Sequence, residues 1–514
     1  MATPHEDTKD NIEPHRHVQN PHEGESICDS SPVQGDKNET GSQPFTAIIE
    51  EQPNPDRIYP SSAKRFIIIV ALCLGTLLDA IDITIIGVAV PTISTEFNAL
   101  DDVGWYGSSY LLSLTALQPV FGVIYKFFDP KTIYLCSVVI FEAGSIISAS
   151  APHSSVFILG RAITGCGGAG LLQGALCIVA LSVPMKKRPL YLSIVVSSFG
   201  AAACFGPVMG GALTDRASWR WCFWINVPVG VAVAIIIILF LRLDGVSNVE
   251  RKLPLVQKLR HLDPVGVCLL IASVCCLVLA LQWGGFTEPW RSPKIIGLLT
   301  GSGLIGIAFF LYEWKIGDHA MLPLRVFGQR SVLIGCLYGC FLQMINDTDT
   351  YYIPFYFQAT QGASAISSGA KFISFILPEI VAVVIAGAIV SKIGHYVPFM
   401  IGGACIAALG TGLLTRISLG TPTVEWAAYL VVSGLGIGLG LNLPYTALHV
   451  VLSEEDIPIG NGITVLCGQL GGAIGVSVGQ STFLNGLLRE IPKLVTGLTT
   501  HDIVTAGATN AALS

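Results

Sequence analysis

Long apolar runs constrain this chain more than any other feature of its 514 residues. A helix needs about 20 consecutive apolar residues to cross the hydrocarbon core of a bilayer. Stretches of about this length lie near 65–90, 104–126, 132–150, 156–182, 189–213, 221–242, 262–283, 294–314, 331–357, 369–391, 397–415, 424–450 and 458–487. Only 12% of the residues are charged, against about a quarter in soluble proteins. The sequence therefore predicts an all-α integral membrane protein with thirteen visible spans, six followed by two and then by five.

The basic residues of the loops set the predicted orientation. If the N-terminus lies in the cytosol, the loops on that side carry most of the bases, namely Lys126, Lys131, Lys186, Lys187, Arg188, Arg251, Lys252, Lys258, Arg260, Lys315, Arg325, Arg330 and Lys392. Cytoplasmic loops are enriched in Lys and Arg, so we expect the N-terminus inside. An odd number of spans then places the polar C-terminal segment outside, unless a final helix is missing from the sequence.

Several function classes are excluded by composition and motif. The net charge is -6 and no basic stripe is present, so nucleic acid is not an expected partner. The 14 cysteines are scattered through apolar segments without a CxxC pair, and the four histidines of the first 22 residues are expected to be solvated. There is no phosphate loop and no nucleophile–base pair. We expect no metal, no cofactor and no enzymatic activity.

The stretch 200–228 concentrates helix-breaking residues in an apolar run. Gly206, Pro207, Gly210 and Gly211 would destabilise a soluble helix. In a membrane the small residues instead let two helix backbones approach closely. An aromatic and charged cluster from Asp215 to Trp224 follows, as is typical of a membrane surface.

Two acids and one base are the main candidates for chemistry inside the spans. Asp79 and Asp82 are one turn apart in the first span, so they share a helix face. Charged groups within a membrane are costly and usually functional. Arg161 lies in the fourth span, and a buried guanidinium needs an acidic partner or several carbonyls. Asp82 is an expected partner, either as part of a proton switch or as a fixed salt bridge between two helices.

Further polar residues lie in or beside the other spans. The acids Glu142 and Glu379 could each bind a proton or a cation, or pair with a polar neighbour. The candidate substrate-cavity residues are Gln118, Glu142, Gln173, Asn346, Asp347, Tyr352, Gln358 and Asn442. Hydrogen bonding between helices is the commoner use of such residues, and both interpretations stay open.

Several motifs together resemble the fungal form of the 14-helix drug:proton antiporter branch of the major facilitator superfamily. The resemblance covers about residues 65–487. Its motifs are Asp82, Thr84, Ala89 and Pro91 in the first span, GWYGSSYLL from Gly104, FEAGS from Phe141, GRAITGCGGAG from Gly160 and WRWCFWINVP from Trp219. The antiporter motif of that branch falls on Gly200, Gly206, Pro207, Gly210 and Gly211, and Tyr352, Pro354, Tyr356 and Gln358 resemble part of the second half.

The cytoplasmic loop motif of the superfamily falls on Gly122, Lys126 and Lys131, with one departure. The superfamily commonly has Asp where Lys126 stands and Gly where Asp129 stands. The usual salt bridge of this loop is therefore not expected in its ordinary form.

The resemblance implies the major facilitator fold, with two six-helix bundles, two linking helices and a cavity that opens alternately to each side. The expected domains are a disordered cytoplasmic tail over 1–60, an N-terminal bundle over 61–245, a linker with two membrane helices over 246–320, a C-terminal bundle with five visible helices over 321–487 and a polar segment over 488–514. The last, fourteenth helix is expected to be missing.

The implied function is proton-coupled export of toxins, secondary metabolites or drugs across a plasma or vacuolar membrane. Asp82 would carry the proton, Arg161 would be its switch partner, and Asp79 is a further candidate for proton coupling. The expected partners are the substrate, protons and the lipid bilayer, and the protein is expected to be a monomer. A siderophore-iron carrier of the same superfamily, a non-transporting membrane receptor and an inactive truncated product are the alternatives.

Overall fold

The fold is all-helical over the part of the chain that the computed structural model describes. That part is residues 59–494 without 100–101, 286–287, 318–319, 364 and 419, and with only Pro254 and Lys258 described between 243 and 261. Residues 1–58 of the tail expected over 1–60, and residues 495–514 of the polar segment expected over 488–514, lie outside the described residues. So do Arg251, Lys252 and Arg260.

The first half of the described chain contains seven helices. They are α1 (Ser62–Phe97), α2 (Val103–Phe127), α3 (Pro130–Ala149), α4 (Ser154–Ser182), α5 (Arg188–Arg216), α6 (Trp221–Trp224) and α7 (Asn226–Phe240), with a 3-10 turn at Met185–Lys187. The short α6 and the longer α7 together form the predicted sixth span. Asp129 caps α3, since its side chain accepts a hydrogen bond from the Thr132 amide at 2.9 Å.

Nine described helices follow. The linking pair is α8 (Pro264–Trp283) and α9 (Pro293–Ile316), and the second half contains α10 (Leu324–Phe327), α11 (Arg330–Gln361), α12 (Ala365–Ile393), α13 (Val397–Leu414), α14 (Thr423–Leu441), α15 (Leu443–Val451) and α16 (Ile457–Leu494). The last helix continues beyond the expected end of the second bundle at 487. The predicted span over 424–450 is divided at Asn442, where Pro444 cannot donate a backbone hydrogen bond to the preceding turn.

Twelve helical segments of the described chain are long and apolar enough to cross a membrane. Of the thirteen predicted spans, the one over 331–357 is not among them. It is part of the 32-residue helix α11, but Asn346, Asp347 and Asp349 lower its apolar character. The polar side chains are sheltered by protein, because α11 packs along α16 and against α12.

Glycines permit the closest helix packing in the first half. On α3, a Cβ added to Gly144 would clash with the backbone of Thr164, and one added to Gly167 of α4 would clash with the backbone of Phe141. Close backbone approach of this kind is the usual way in which membrane helices associate. The helix that carries Arg161 is therefore packed backbone to backbone against α3.

The two halves meet along two helix pairs. In the first pair, α2 crosses α16, where a Cβ on Gly122 would lie 2.7 Å from the Pro458 carbonyl oxygen. In the second, α5 crosses α12, where a Cβ on Gly200 would lie 2.6 Å from the Ile380 side chain. The linking helices pack beside the first pair, with Val274 and Phe309 in one apolar cluster with Val123 and Ile463. The space between the two pairs is where a cavity between the halves can lie.

Candidate functional site

A buried ion pair joins the first and fourth helices. The Arg161 guanidinium Nη1 contacts Asp82 Oδ2, and neither residue is exposed. The pairing expected from the sequence is thus confirmed as a contact. Because a single charge left in this position would be strongly destabilising, the two side chains have to be considered together.

Neutral neighbours complete the environment of the pair. Arg161 Nε donates to the Tyr106 carbonyl oxygen at 3.0 Å, and the guanidinium carbon lies 4.6 Å from the Tyr110 ring centroid. Asn226 Nδ2 is 3.4 Å from Asp82 Oδ1 and donates to Ser145 Oγ at 3.2 Å. The guanidinium therefore keeps a carbonyl and an aromatic face even when the carboxylate is neutralised.

Asp79 has a different partner from Asp82, although the two acids are one turn apart. Its Oδ1 accepts a hydrogen bond from the Tyr110 hydroxyl, while its Oδ2 has no hydrogen-bond partner among the residues that the structure describes. Gly168 makes room for this contact, since a Cβ there would clash with Asp79 Oδ1. Tyr110 thus contacts Asp79 through its hydroxyl group, and it contacts Arg161, the partner of Asp82, through its ring.

Glu142 is the third acid that lies within the predicted spans of the first half. It is 8% exposed, and within the described part of the chain neither of its side-chain oxygens has a hydrogen-bond partner. It lies against Gly230 of α7, where an added Cβ would clash with its carboxylate. Glu142 therefore packs against α7 and does not line the cavity between the halves.

A cavity of about 240 Å³ lies between the two halves. Its first-half wall is built from α1, α4 and α5, and its second-half wall carries most of the polar groups. The second-half polar residues are Gln343, Asn346, Asp347, Thr350, Glu379, Tyr445 and Gln469, and the first half contributes Thr84 and Ser197. Asp79, Asp82, Arg161 and Glu142 are absent from the wall, so the ion pair and the cavity are separate places.

Asn346 and Asp347 are the two expected cavity residues that line this cavity. The other six do not. Gln118 is fully buried in α2, and Glu142 packs against Gly230 of α7. Gln173 donates to the Pro458 carbonyl oxygen, Tyr352 to that of Val476, Gln358 to that of Pro354, and Asn442 to Pro189 and Ser193. For these last four, hydrogen bonding within or between helices is the observed use.

The antiporter-motif residues do not all face the same neighbour. Gly200 contacts Ile380 of the second half, whereas Gly206 and Gly210 face Thr84 and Ile85 of α1. Gly200 therefore packs against the opposite half, whereas Gly206 and Gly210 pack within the first half. The reason is helical rotation: six and ten residues beyond Gly200, the helix presents a different side. Pro207 is exposed and Gly211 is half-buried.

In the cytoplasmic loop motif, the base Lys126 stands where the superfamily commonly has Asp, and it forms an ion pair with an acid of the second half. Lys126 Nζ lies 3.1 Å from Asp456 Oδ1, and Arg325 Nη1 lies 2.7 Å from Asp456 Oδ2. Burial alone would raise the pKa of the Asp456 carboxyl, but Lys126 and Arg325 outweigh this effect and hold the pKa below its ordinary value. The carboxylate is therefore charged at neutral pH, and the two halves are tied together beside Gly122.

Lys131 has a separate use in the same loop. Its Nζ donates to the carbonyl oxygens of Ile238 at 2.7 Å and Leu241 at 2.9 Å, at the end of α7. Cations are favourable at this end of a helix dipole. This residue fixes the loop to the first half and takes no part in the contact between the halves.

Sequence reasoning did not identify Asp456 or Tyr110 as functional candidates. The acidic segment 453–456 on the predicted cytoplasmic side was a usable signal, because it lies in a region whose other loops are basic. Arg188 Nη2 also contacts Glu454 there, at 3.0 Å. Tyr110 gave no such signal, since a tyrosine within an apolar span does not indicate its partner.

The chain matches one family model and is similar in sequence to several proteins that are named for efflux. A family model for the Major Facilitator Superfamily matches residues 72–476. The "MFS-type efflux pump MFS1" of Trichophyton rubrum is 40% identical over 446 residues, which is 87% of this chain and 83% of that protein. The "Aspyridones efflux protein" of Neocamarosporium betae is 39% identical over 448 residues, 87% of this chain and 79% of that protein. The "Efflux pump roqT" of Penicillium rubens is 38% identical over 440 residues, with 86% and 81% covered.

Solved structures are similar in fold at much lower identity. The proton:xylose symporter XylE, bound to 6-bromo-6-deoxy-D-glucose, matches with a TM-score of 0.57 at 16% identity, over 88% of this chain and 95% of that chain. The human organic anion transporter MFSD10 matches with a TM-score of 0.54 at 13% identity, over 87% of this chain and 98% of that chain.

Proposed function

The chain belongs to the Major Facilitator Superfamily and is a multi-pass membrane transporter, and we propose that it exports small organic molecules in exchange for protons. The export of toxins or secondary metabolites is supported by the relatives that are named as efflux proteins. Proton coupling is supported by one observation above all, the fully buried Asp82–Arg161 pair. The alternatives of a receptor and a siderophore carrier have no comparable support.

The proposed cycle begins with proton uptake by Asp82. Two unit charges about 4 Å apart attract each other by about 4 kcal/mol at an effective dielectric constant of 20. Protonation of Asp82 removes this attraction between α1 and α4. Arg161 then remains on the Tyr106 carbonyl oxygen and the Tyr110 ring, and α1 is free to change its position.

Helix α1 also connects the ion pair to the cavity. Thr84, two residues after Asp82, lines the cavity and donates to the Ala202 carbonyl oxygen of α5 at 3.3 Å. A shift of α1 that follows protonation would move this wall residue and its contact with α5. In this way proton binding at one place alters substrate binding at another without direct competition for the same carboxylate.

The driving force is sufficient for useful export. One proton entering across 100 mV supplies about 2.3 kcal/mol, which corresponds to a substrate gradient of about fiftyfold. We place this exchange in the plasma membrane or the vacuolar membrane. The functional unit is proposed to be a monomer, because a single chain supplies both walls of the cavity.

The contacts of Asp456 would close the cavity on the cytoplasmic side. Breaking a buried ion pair by removing one partner costs about 3–5 kcal/mol. We therefore expect Asp456→Asn to open this side and to raise hydrogen–deuterium exchange in residues 452–460 about tenfold or more. Glu455→Gln is the matched control, because this neighbouring side chain is exposed. Unchanged exchange in Asp456→Asn would contradict the closing role.

Transport itself is tested with the purified full-length chain in proteoliposomes. A pH gradient with an acidic vesicle interior should drive accumulation of a labelled secondary metabolite, because protons leave the vesicle as substrate enters. Aspyridones are the first candidates, because one relative bears their name. Collapse of the gradient with an ionophore should abolish accumulation. Accumulation that ignores the pH gradient would exclude proton coupling, and failure with a broad metabolite panel would exclude the export function.

A further inference from the structure

Two buried acids lie together at one end of the linking helices. Asp263, the residue before α8, is 4% exposed, and Glu313 of α9 is 1% exposed. This end of the two helices adjoins Lys258 and Lys315 in the sequence, so it is the predicted cytoplasmic end. Neither acid lines the cavity between the halves.

One oxygen of each carboxyl group has ordinary hydrogen-bond donors. Asp263 Oδ1 accepts hydrogen bonds from the Gly266 amide and from the Tyr312 hydroxyl, both at 3.1 Å. Glu313 Oε2 accepts one from the Leu322 amide at 2.8 Å. These bonds hold both carboxyl groups in place.

The other two oxygens face each other without a donor. Asp263 Oδ2 and Glu313 Oε1 are buried, and among the described residues neither has a hydrogen-bond partner. A Cβ added to Gly266 would clash with both oxygens, so they lie at one place, and the two side chains are within hydrogen-bonding distance of each other. Ionised carboxylates only accept hydrogen bonds. A bond between these oxygens therefore requires that one of them carries a hydrogen.

No base balances the charge of this pair. Within the part of the chain that the structure describes, neither Asp263 nor Glu313 forms an ion pair. Helix α8 packs against α9, α2 and α16, but α8 contains no charged residue and α16 contains none before Arg489. The bases of the other surrounding elements are engaged or exposed: Lys126 and Arg325 pair with Asp456, Lys258 lies 5.2 Å from the Phe128 ring centroid, and Lys315 is exposed. Tyr312, the other titratable group at the pair, contributes only its neutral hydroxyl.

We propose that Asp263 and Glu313 form a second proton-binding site, in which one proton is shared between Asp263 Oδ2 and Glu313 Oε1. Two carboxylates in contact and away from water repel each other strongly when both are ionised, and a single shared proton removes this repulsion. A metal ion suits the place less well, because Ca²⁺ takes six to eight oxygen ligands and Mg²⁺ takes six, whereas only two oxygens are free here. The site goes beyond the proposed function, because its proton stays on the linking helices and is not the one that Asp82 carries.

The shared proton connects cytosolic pH to the contact that closes the cytoplasmic side. Glu313 holds the Leu322 amide, and Leu322 belongs to a buried apolar cluster with Val123 of α2. Three residues later, Arg325 contacts Asp456. When the pH rises and the proton leaves to cytosolic water, the two carboxylates repel and the segment 320–327 loosens. The stabilisation is therefore present at low pH and is lost as the pH rises.

The test follows hydrogen–deuterium exchange of residues 320–327 in the full chain in lipid nanodiscs, at about pH 6 and about pH 9. Exchange is expressed as a protection factor, which removes the intrinsic pH dependence of the amides. We expect protection in the unmodified chain to fall about tenfold or more as the pH rises. Asp263→Asn and Glu313→Gln each place an amide N–H where the shared proton lies. Each variant should therefore keep the protection of the low-pH state at both pH values.

A second measurement detects the proton itself, and a matched variant controls for other acids. The infrared spectrum of the unmodified chain at low pH should contain a carboxylic C=O stretching band that Asp263→Asn and Glu313→Gln each remove. Glu288→Gln is the control, because this acid lies between the same two helices at their other end, where it pairs with Lys294. It should change neither the band nor the pH dependence of protection.

Three results would overturn the assignment. The first is protection of residues 320–327 in the unmodified chain that does not depend on pH. The second is a fall in protection that persists in Asp263→Asn and Glu313→Gln, together with a carboxylic band that neither variant removes. The third is protection at high pH that added Ca²⁺ or Mg²⁺ restores, which would mean that the two acids bind a metal ion instead.

Discussion

Asp82→Asn should abolish export driven by a pH gradient, with a loss of about a hundredfold or more in initial rate, which corresponds to about 2.7 kcal/mol. An amide has nearly the size of the carboxylate but cannot take up and release a proton at physiological pH. Exchange of substrate across the membrane without a gradient should persist, because the cavity wall does not include Asp82. The measurement is the ratio of gradient-driven accumulation to gradient-free exchange in the same vesicles.

Loss of the carboxylate also leaves Arg161 charged and buried, so stability has to be measured alongside transport. An uncompensated buried charge costs about 3–5 kcal/mol, whereas replacing both partners by neutral groups is often tolerated. We therefore expect Asp82→Asn to lower the Tm and the Asp82→Asn, Arg161→Met double variant to recover most of it. Neither variant should regain gradient-driven export. This pattern separates loss of the proton carrier from simple misfolding.

Asp102→Asn is the matched control for the single variant. Asp102 is an acid of the same half, and its carboxylate accepts a hydrogen bond from Ser154. Its replacement should leave the ratio of the two transport modes unchanged. If Asp82→Asn accumulates substrate against a gradient as well as the unmodified chain does, Asp82 is not the proton carrier.

The sequence predicted the helices well because the length of an apolar run is a one-dimensional property. It also predicted the Asp82–Arg161 contact, since a buried guanidinium requires an acid and Asp82 was the expected acid in a neighbouring span. Sequence spacing could not identify the interruption at Asn442. The amide of that residue bonds Pro189 and Ser193, which lie about 250 positions earlier in the chain, and this contact exists only after the halves meet.

The sequence was least able to predict which polar residues line the cavity. Glu142 and Asp347 are both acids within spans, yet the first packs against Gly230 and the second lines the cavity. The difference depends on the rotation of each helix about its axis, which apolar periodicity fixes poorly when a helix is apolar on most sides. The same cause explains Gly206, whose neighbour could not be deduced from its position in the motif.

Gly206→Leu should block transport by separating α5 from α1. A Cβ at this position would lie 2.9 Å from the Thr84 Cβ and closer still to its hydroxyl oxygen. Overpacking a close contact costs about 1–3 kcal/mol, and here the displaced residue is Thr84, which lines the cavity. We expect export to fall about tenfold or more, with membrane insertion retained and with the ratio between two test substrates unchanged.

A smaller substitution tests whether Thr84 is the neighbour that matters. Gly206→Ala should impair export less than Gly206→Leu, and Thr84→Ala should partly relieve the Gly206→Ala defect, because it removes the hydroxyl group that the new methyl group meets. The coupling energy from the four-variant cycle measures this contact directly. Gly87→Leu is the control on α1, since nothing lies within 4 Å of an added Cβ there. Full export by Gly206→Leu, or a cycle with purely additive effects, would mean that the α1–α5 contact does not limit the motion of α1.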